Sequence, residues 1–68
     1  MTREAIEDAL KRKPFRPFAL RLTSGQLVQI KKEHTAAVHP FAQTMIIFET
    51  KGGYRILDIP LIVELQTA

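Results

Sequence analysis

The chain has 68 residues, of which 46% are apolar and 25% charged, and its formal net charge is +3. This length allows one domain (residues 1–68), and the composition is typical of a soluble globular protein. Because the chain contains no cysteine, disulfides, thiolate metal sites and cysteine nucleophiles are excluded. A core this small rarely supplies more than about 3–5 kcal/mol, so stability must come from good packing, a metal or a partner chain.

Positive charge is concentrated in the first half of the chain. Residues 1–32 carry eight basic and three acidic side chains, whereas residues 33–68 carry two basic and four acidic ones. We therefore predict a basic patch that binds nucleic acid or an acidic protein. Its members are Lys11, Arg12, Lys13, Arg16, Arg21, Lys31 and Lys32. The alternative interpretation is an ordinary solvated surface, since a net +5 over 32 residues is modest for a nucleic-acid binder.

No targeting or membrane signal is recognised. The chain begins with an acidic, amphipathic segment that does not resemble a signal peptide. Its longest apolar run, residues 59–63, is far too short to span a bilayer. We expect a cytoplasmic protein without a membrane partner.

The N-terminal segment predicts a short helix, roughly residues 3–12. Thr2 is a suitable N-cap, and Pro14 ends the helix because the residue before a proline is pushed out of the α region. Four apolar residues recur at helical spacing and form one narrow stripe: Ala5, Ile6, Ala9 and Leu10. A helix of this length is marginal alone, so the stripe must pack against the rest of the chain.

Residues 13–18 contain two prolines three positions apart and two phenylalanines three positions apart. Polyproline II has three residues per turn, so in that conformation Phe15 and Phe18 share one face. We predict that this aromatic pair anchors the helix to the following sheet. Binding of the prolines to an aromatic groove is the functional alternative.

From Phe18 onward apolar and polar residues alternate, which predicts a β-hairpin. A loop of residues 23–25 pairs Leu20 with Val28 and Phe18 with Ile30, so the apolar side chains share one face. A two-residue loop mixes the faces, and we therefore prefer the longer one. In this register Gly25 takes the left-handed position of a bulged turn.

The next segments are interpreted as a connector and a strand. Residues 33–43 form the connector, and three of its side chains are expected to cover the end of the core: Ala36, Val38 and Phe41. Residues 44–50 form the strand, which is apolar on both faces between Met45 and Phe48. Such a run indicates a central strand or a face buried by a second chain.

A second hairpin and a final strand complete the chain. A tight turn at residues 51–53 leads back into a strand at residues 54–57. Asp58 ends this strand and is predicted to cap a short turn at residues 59–61, with Pro60 near the start of that turn. The last strand is expected at residues 62–65.

Together these elements predict a mainly β, α+β fold. The N-terminal helix precedes about five short antiparallel strands within residues 18–67, which is typical of a small barrel or a strongly bent sheet. The order of elements is similar to that of SH3-like barrels, especially the Sm-like version with its N-terminal helix. Sm-like RNA binders carry an Asn after the second core strand, whereas this chain contains no Asn, so the similarity is one of topology.

Two segments resemble a group of short uncharacterised bacterial proteins. Residues 13–18, followed by Leu-Arg-Leu-Thr-Ser-Gly, resemble the group's helix, Pro-Phe-Arg-Pro-Phe segment and hairpin turning on Gly. Residues 56–65 resemble its closing segment, where an Asp follows an apolar strand. The resemblance covers nearly the whole chain and implies no activity.

The polar residues do not form a catalytic pattern. His34 and His39 are the only histidines, and no third metal ligand accompanies them at a suitable spacing. Ser24 lies in a predicted turn without an acid–base partner. We therefore expect no catalysis, no metal and no cofactor.

Two functional hypotheses follow. The first is a non-catalytic binding module that uses the basic patch. The second is a homo-oligomeric assembly protein whose sheet edges, or the strand containing residues 45–48, pair with another copy. The basic first half and the mildly acidic second half also favour head-to-tail contact between copies.

Overall fold

The computed structural model describes residues 1–67, which form one α-helix and six strands. In chain order these are α1 (Arg3–Lys11), β1 (Phe18–Leu22), β2 (Leu27–Ile30), β3 (Ala36–Val38), β4 (Thr44–Phe48), β5 (Tyr54–Asp58) and β6 (Ile62–Thr67). A 3₁₀ turn over Ile59–Leu61 joins the last two strands.

The helix forms where the sequence predicts it. The Thr2 hydroxyl oxygen accepts a hydrogen bond from the backbone N–H of Ala5 at 3.3 Å, so the predicted N-cap is confirmed. Ile6 and Ala9 are buried and Leu10 packs against the core, while α1 lies against β3. Ala5 is exposed, so its assignment to the apolar stripe was wrong. It lies about 100° around the helix from Ile6, at the edge of the apolar stripe, where it is open to solvent.

The connector after the helix brings its two aromatic rings together. The centroids of Phe15 and Phe18 are 6.2 Å apart, and the ring planes are inclined by 58°. Phe18 is buried in the core and Phe15 packs against it from a partly buried position. The Lys13–Pro14 peptide bond between the helix and this pair is cis. The predicted aromatic anchor between helix and sheet is therefore present.

The first sheet, called sheet A, has the strand order β2-β1-β6 and is antiparallel throughout. The β1–β2 hairpin has the predicted register, in which Leu20 faces Val28 and Phe18 faces Ile30. Gly25 closes its loop with φ +92°, in the left-handed region that favours glycine. β6 pairs along the other side of β1, with a register shift next to Arg21.

The second sheet, called sheet B, has the order β3-β4-β5, so β4 is central, as its apolar pattern indicates. The β4–β5 hairpin turns at residues 51–53, as predicted. The N–H of Glu49 donates to the carbonyl of Gly53 at 3.1 Å, and the N–H of Gly52 donates to the carbonyl of Glu49 at 3.2 Å.

The predicted barrel or single bent sheet is not what residues 1–67 form. They make two separate three-stranded sheets with no closed barrel. A second difference is β3, which lies inside the segment interpreted as a connector and adds a third strand to sheet B. β3 has three residues, two of them alanine, so it lacks the alternation and the β-branched residues by which strands are recognised.

One hydrophobic core draws on both sheets and the helix. Its buried members are Ile6, Ala9, Phe18, Leu20, Val28, Ile30, Met45, Ile47, Leu57, Ile59 and Ile62. Ala36 and Val38 pack against this cluster, as expected for them. Phe41 was expected to do the same, but it is 91% exposed.

Asp58 occupies the predicted N-cap position of the 3₁₀ turn, and Pro60 stands in its first residues. However, the Asp58 side chain makes no capping hydrogen bond, so its predicted role was wrong. The second residue of the turn, Pro60, has no N–H to donate to a cap, and the backbone N–H of the first residue, Ile59, donates to the carbonyl of Gln43 at 2.9 Å. A tertiary partner thus satisfies a donor of this turn, and the Asp58 carboxylate stays exposed.

Candidate functional site

The outer face of sheet B, away from the core, is apolar. Ile46 stands between Ala37 on β3 and Ile56 on β5, and Phe48 faces Tyr54. Residues directly opposite each other, or two apart along a strand, lie on the same face, so these five side chains form one surface. Phe48 is 50% exposed, and Tyr54 and Ile56 are each 63% exposed. We call Ala37, Ile46, Phe48, Tyr54 and Ile56 the apolar face.

The two ends of the apolar face differ in shape. At the end where Thr44 faces Asp58, a cleft of about 330 Å³ is lined mainly by aliphatic side chains. Its lining includes Ala37, Val38, Pro40, Ile46 and Ile56. At the opposite end the rings of Phe48 and Tyr54 stand side by side, next to the turn that carries Lys51. The face therefore has an aliphatic cleft at one end and an aromatic ridge at the other.

The loop beside the cleft is held from within the molecule. The Arg3 guanidinium donates hydrogen bonds to three of its carbonyls, those of His39 at 2.6 Å, Ala42 at 3.1 Å and Pro40 at 3.2 Å. His39 Nδ1 in turn accepts from the backbone N–H groups of Phe41 and Ala42, both at 3.0 Å. The rim of the cleft is thus fixed, and the Phe41 ring projects from it into solvent.

The outer face of sheet A is mainly polar, in contrast, although Leu27, which is directly opposite Arg21, is 39% exposed. Arg21 Nε donates to Glu64 Oε1 at 2.9 Å, and Gln66 Nε2 donates to the same oxygen at 2.8 Å. These two hydrogen bonds, with that from Arg21 the stronger influence, lower the pKa of Glu64 below its usual range. Arg21 is therefore engaged within the sheet, although the sequence assigned it to the basic patch.

The rest of the predicted basic patch is divided. Lys11 pairs with Glu7 at 3.8 Å and Lys13 pairs with Glu33 at 3.9 Å, both beside the helix. The remaining four cations make no ion pair with a carboxylate among residues 1–67. We call these four the basic end: Arg12, Arg16, Lys31 and Lys32.

The four residues of the basic end line grooves that adjoin one another. Arg12 and Arg16 line a groove that also includes Asp8, Phe18 and Thr67. Lys31 lines an adjoining groove that shares Phe18 and Thr67 with the first. Lys31 also lines a third groove together with Lys32. The structure therefore keeps four of the seven predicted cations available on neighbouring surfaces and uses the other three in ion pairs.

The two histidines, His34 and His39, have different surroundings. His34 Nε2 lies 3.3 Å from a carboxylate oxygen of Glu33, whereas His39 belongs to the loop held by Arg3. Within the described part of the chain, no three His, Cys, Asp or Glu side chains are placed to hold a metal ion. The single helix found in residues 1–67 is too short and too polar to cross a bilayer.

Comparisons with protein-family models, curated proteins and solved structures found no match for this chain. Its surfaces therefore have to be interpreted from their own chemistry.

Part of the apolar face was visible in the sequence and part was missed. Residues 45–48 were recognised as apolar on both faces, but the sequence did not assign Ile46 and Phe48 to the face away from the core. Tyr54 and Ile56 were assigned only to a hairpin strand. Their signal was available, because Tyr54 and Ile56 alternate with Arg55 and Leu57, so two apolar side chains had to face away from buried Leu57.

Proposed function

We propose that this protein is a non-catalytic assembly module that associates with a second copy of itself through the apolar face. The observation that carries the proposal is the contrast between the two outer faces. Sheet A presents a mainly polar surface on which Arg21, Glu64 and Gln66 are hydrogen-bonded, whereas sheet B presents four large apolar side chains that adjoin one another. Contiguous exposed apolar patches of this kind mark interaction sites in soluble proteins.

The size of the face supports a reversible contact. Two five-residue strands and the three-residue β3, about 4.8 Å apart, present a surface of at most roughly 14 by 17 Å. Stable interfaces bury about 800 Å² on each partner, and weak ones bury less. We therefore expect association that depends on concentration rather than a permanent dimer. Two outer faces packed about 10 Å apart, as in a β-sandwich, provide the simplest geometry.

A matched pair of lysine substitutions tests the proposal. Ile56→Lys places a charge in the middle of the apolar face, whereas Val63→Lys places the same charge on sheet A, at a valine that is 56% exposed. In sedimentation equilibrium from about 10 μM to 1 mM, a micromolar-to-millimolar contact raises the mass of the wild type above 7.7 kDa. We expect Ile56→Lys to remain monomeric and Val63→Lys to behave like the wild type.

Circular dichroism of both variants at low concentration provides the folding control. A wild type that stays monomeric over the whole range contradicts the proposal. An equal loss of association in Val63→Lys and Ile56→Lys also contradicts it, because the effect then comes from net charge and not from the face.

The second candidate function is binding of a polyanion, either nucleic acid or an acidic protein, at the basic end. The observation that favours it is the absence of ion pairs to Arg12, Arg16, Lys31 and Lys32 among residues 1–67. Unpaired cations on adjoining grooves attract phosphates or carboxylates without specifying a sequence.

Two quadruple variants test this candidate. In the first, the four residues of the basic end become Gln. In the second, four cations that already have ion pairs become Gln: Lys11, Lys13, Arg21 and Arg55. Both lose four charges, but we expect only the first to lose binding to mixed-sequence single-stranded RNA and to poly-glutamate at low salt.

The salt dependence gives a second readout. Four phosphate contacts with a single strand predict a slope of log K against log salt of about −3. Absence of binding to either polyanion at low salt contradicts this candidate. Equal losses in the two quadruple variants also contradict it, since general charge and not the basic end then accounts for binding.

A further inference from the structure

We infer that the two copies associate with their ends exchanged, so that the aromatic ridge of each copy lies over the aliphatic cleft of its partner. This inference rests on the proposed function and adds the orientation of the interface. The two-fold axis then lies between the faces and runs perpendicular to the strands. A two-fold interface is self-complementary, so every contact that one copy makes is repeated by the other.

Shape is the first argument for this orientation. The ridge carries two exposed rings, Phe48 and Tyr54, while the cleft at the other end has a volume of about 330 Å³. An apolar cavity of about 150 Å³ accepts a benzene ring, so the cleft has room for an aromatic side chain. With the ends exchanged, each cleft receives a ridge. With the ends aligned, ridge meets ridge and the two clefts face each other unfilled.

Charge is the second argument, and it is independent of shape. Lys51 lies in the turn at the ridge end and Asp58 lies at the cleft end, and neither has an ion-pair partner among residues 1–67. Glu49, which shares the turn with Lys51, is paired with Arg55 at 3.9 Å. Exchanged ends place Lys51 of each copy over Asp58 of its partner, twice in the dimer. Aligned ends place like charges opposite each other, which is unfavourable.

Charge reversal tests the orientation. Lys51→Asp and Asp58→Lys each replace two attractions by two repulsions, so each single variant is expected to associate about tenfold more weakly at low salt. The double variant, Lys51→Asp with Asp58→Lys, restores both attractions and has the wild-type net charge. We expect its dissociation constant to return to within about twofold of the wild type. Asp8→Lys, an exposed change on α1, is the control for net charge.

Cross-linking provides a readout that does not depend on electrostatics. The chain has no cysteine, so Lys51→Cys and Asp58→Cys introduce unique thiols. Because the two sheets are expected to pack about 10 Å apart, a thiol-to-thiol cross-linker of about that span is used instead of direct oxidation. We expect a cross-linked dimer when the two variants are mixed and treated with this reagent, and little dimer from either variant alone.

The possible failures are distinguishable. If the double variant stays as weak as the single variants, or if Lys51→Cys alone forms the linked dimer, the exchanged orientation is overturned. In that case, Ile56→Lys still abolishes association and the proposed function stands. If the wild type never associates, both the proposed function and the orientation are overturned together.

Discussion

Arg3 shows how one side chain organises a distant part of this small protein. From the first turn of α1 it reaches the carbonyls of His39, Pro40 and Ala42, which shape the rim of the cleft. Its place in the sequence gave no sign of this role, because its acceptors are backbone groups 36 to 39 positions away. Spacing rules describe neighbours, and carbonyl acceptors carry no residue-specific signal.

We expect Arg3→Met to lower the free energy of unfolding by about 1–2 kcal/mol, because hydrogen bonds from a charged donor are lost at partly exposed acceptors. Arg12→Met is the matched control. Arg12 is exposed and unpaired among the described residues, so its change is expected to stay within about 0.5 kcal/mol. Urea unfolding measures both variants.

Hydrogen exchange adds a local test of the same contact. The amides of Phe41 and Ala42, which donate to His39 Nδ1, are expected to exchange faster in Arg3→Met than in the wild type. Unchanged stability and unchanged exchange contradict the role given to Arg3.

The contact between two aromatic rings, unlike the contacts of Arg3, could be predicted from the sequence. The contact between Phe15 and Phe18 was predictable because both residues lie within one short segment at a regular spacing. Asp58 lies between these two cases. Its position at the start of a turn was correct, but its capping bond was not, since a cap accepts from the second or third N–H of a turn and the second residue here, Pro60, has no N–H.

At the scale of elements, hairpins were easier to predict than isolated strands. In a hairpin, the length of the turn and the alternation of apolar residues together determine the register. The pairing of Leu20 with Val28 therefore followed from the sequence. β3 has no such local partner or pattern. This strand forms because its backbone pairs with that of β4 and because α1 packs over it. Tertiary structure thus decides the state of a segment whose own preference is weak.

The helix also depends on a local element, its N-cap. With only nine residues, α1 is marginal without support, so Thr2 is expected to matter. We predict that Thr2→Ala lowers the free energy of unfolding by about 1 kcal/mol, while Thr2→Ser, which keeps the acceptor oxygen, has little effect. Thermal unfolding followed by far-ultraviolet circular dichroism compares the two. Equal melting temperatures for all three proteins exclude a capping role.

At the scale of the whole molecule, the sequence predicted the class of fold but not how its sheets close. Alternation specifies which residues face inward, and that pattern is the same in a barrel and in two open sheets. The basic patch illustrates the same limit. Neighbours in sequence such as Lys11 and Arg12 differ in the structure, although each has a carboxylate four residues earlier, Glu7 and Asp8. Lys11 is the last residue of α1 and pairs with Glu7, whereas Arg12 is the C-cap, where a ψ of 137° leaves the helix, and it makes no ion pair among the described residues.

The pairing of β6 with β1 has a consequence for how the chain acquires its structure. It joins Phe18 to Thr67 across most of the chain, whereas both hairpins close over short loops. Closing a long loop carries a larger entropic barrier, and contacts distant in sequence slow folding. During synthesis the β6 residues emerge after every other strand, so β1 keeps one open edge until then. We therefore expect the pairing of β6, and not the formation of either hairpin, to set the folding rate.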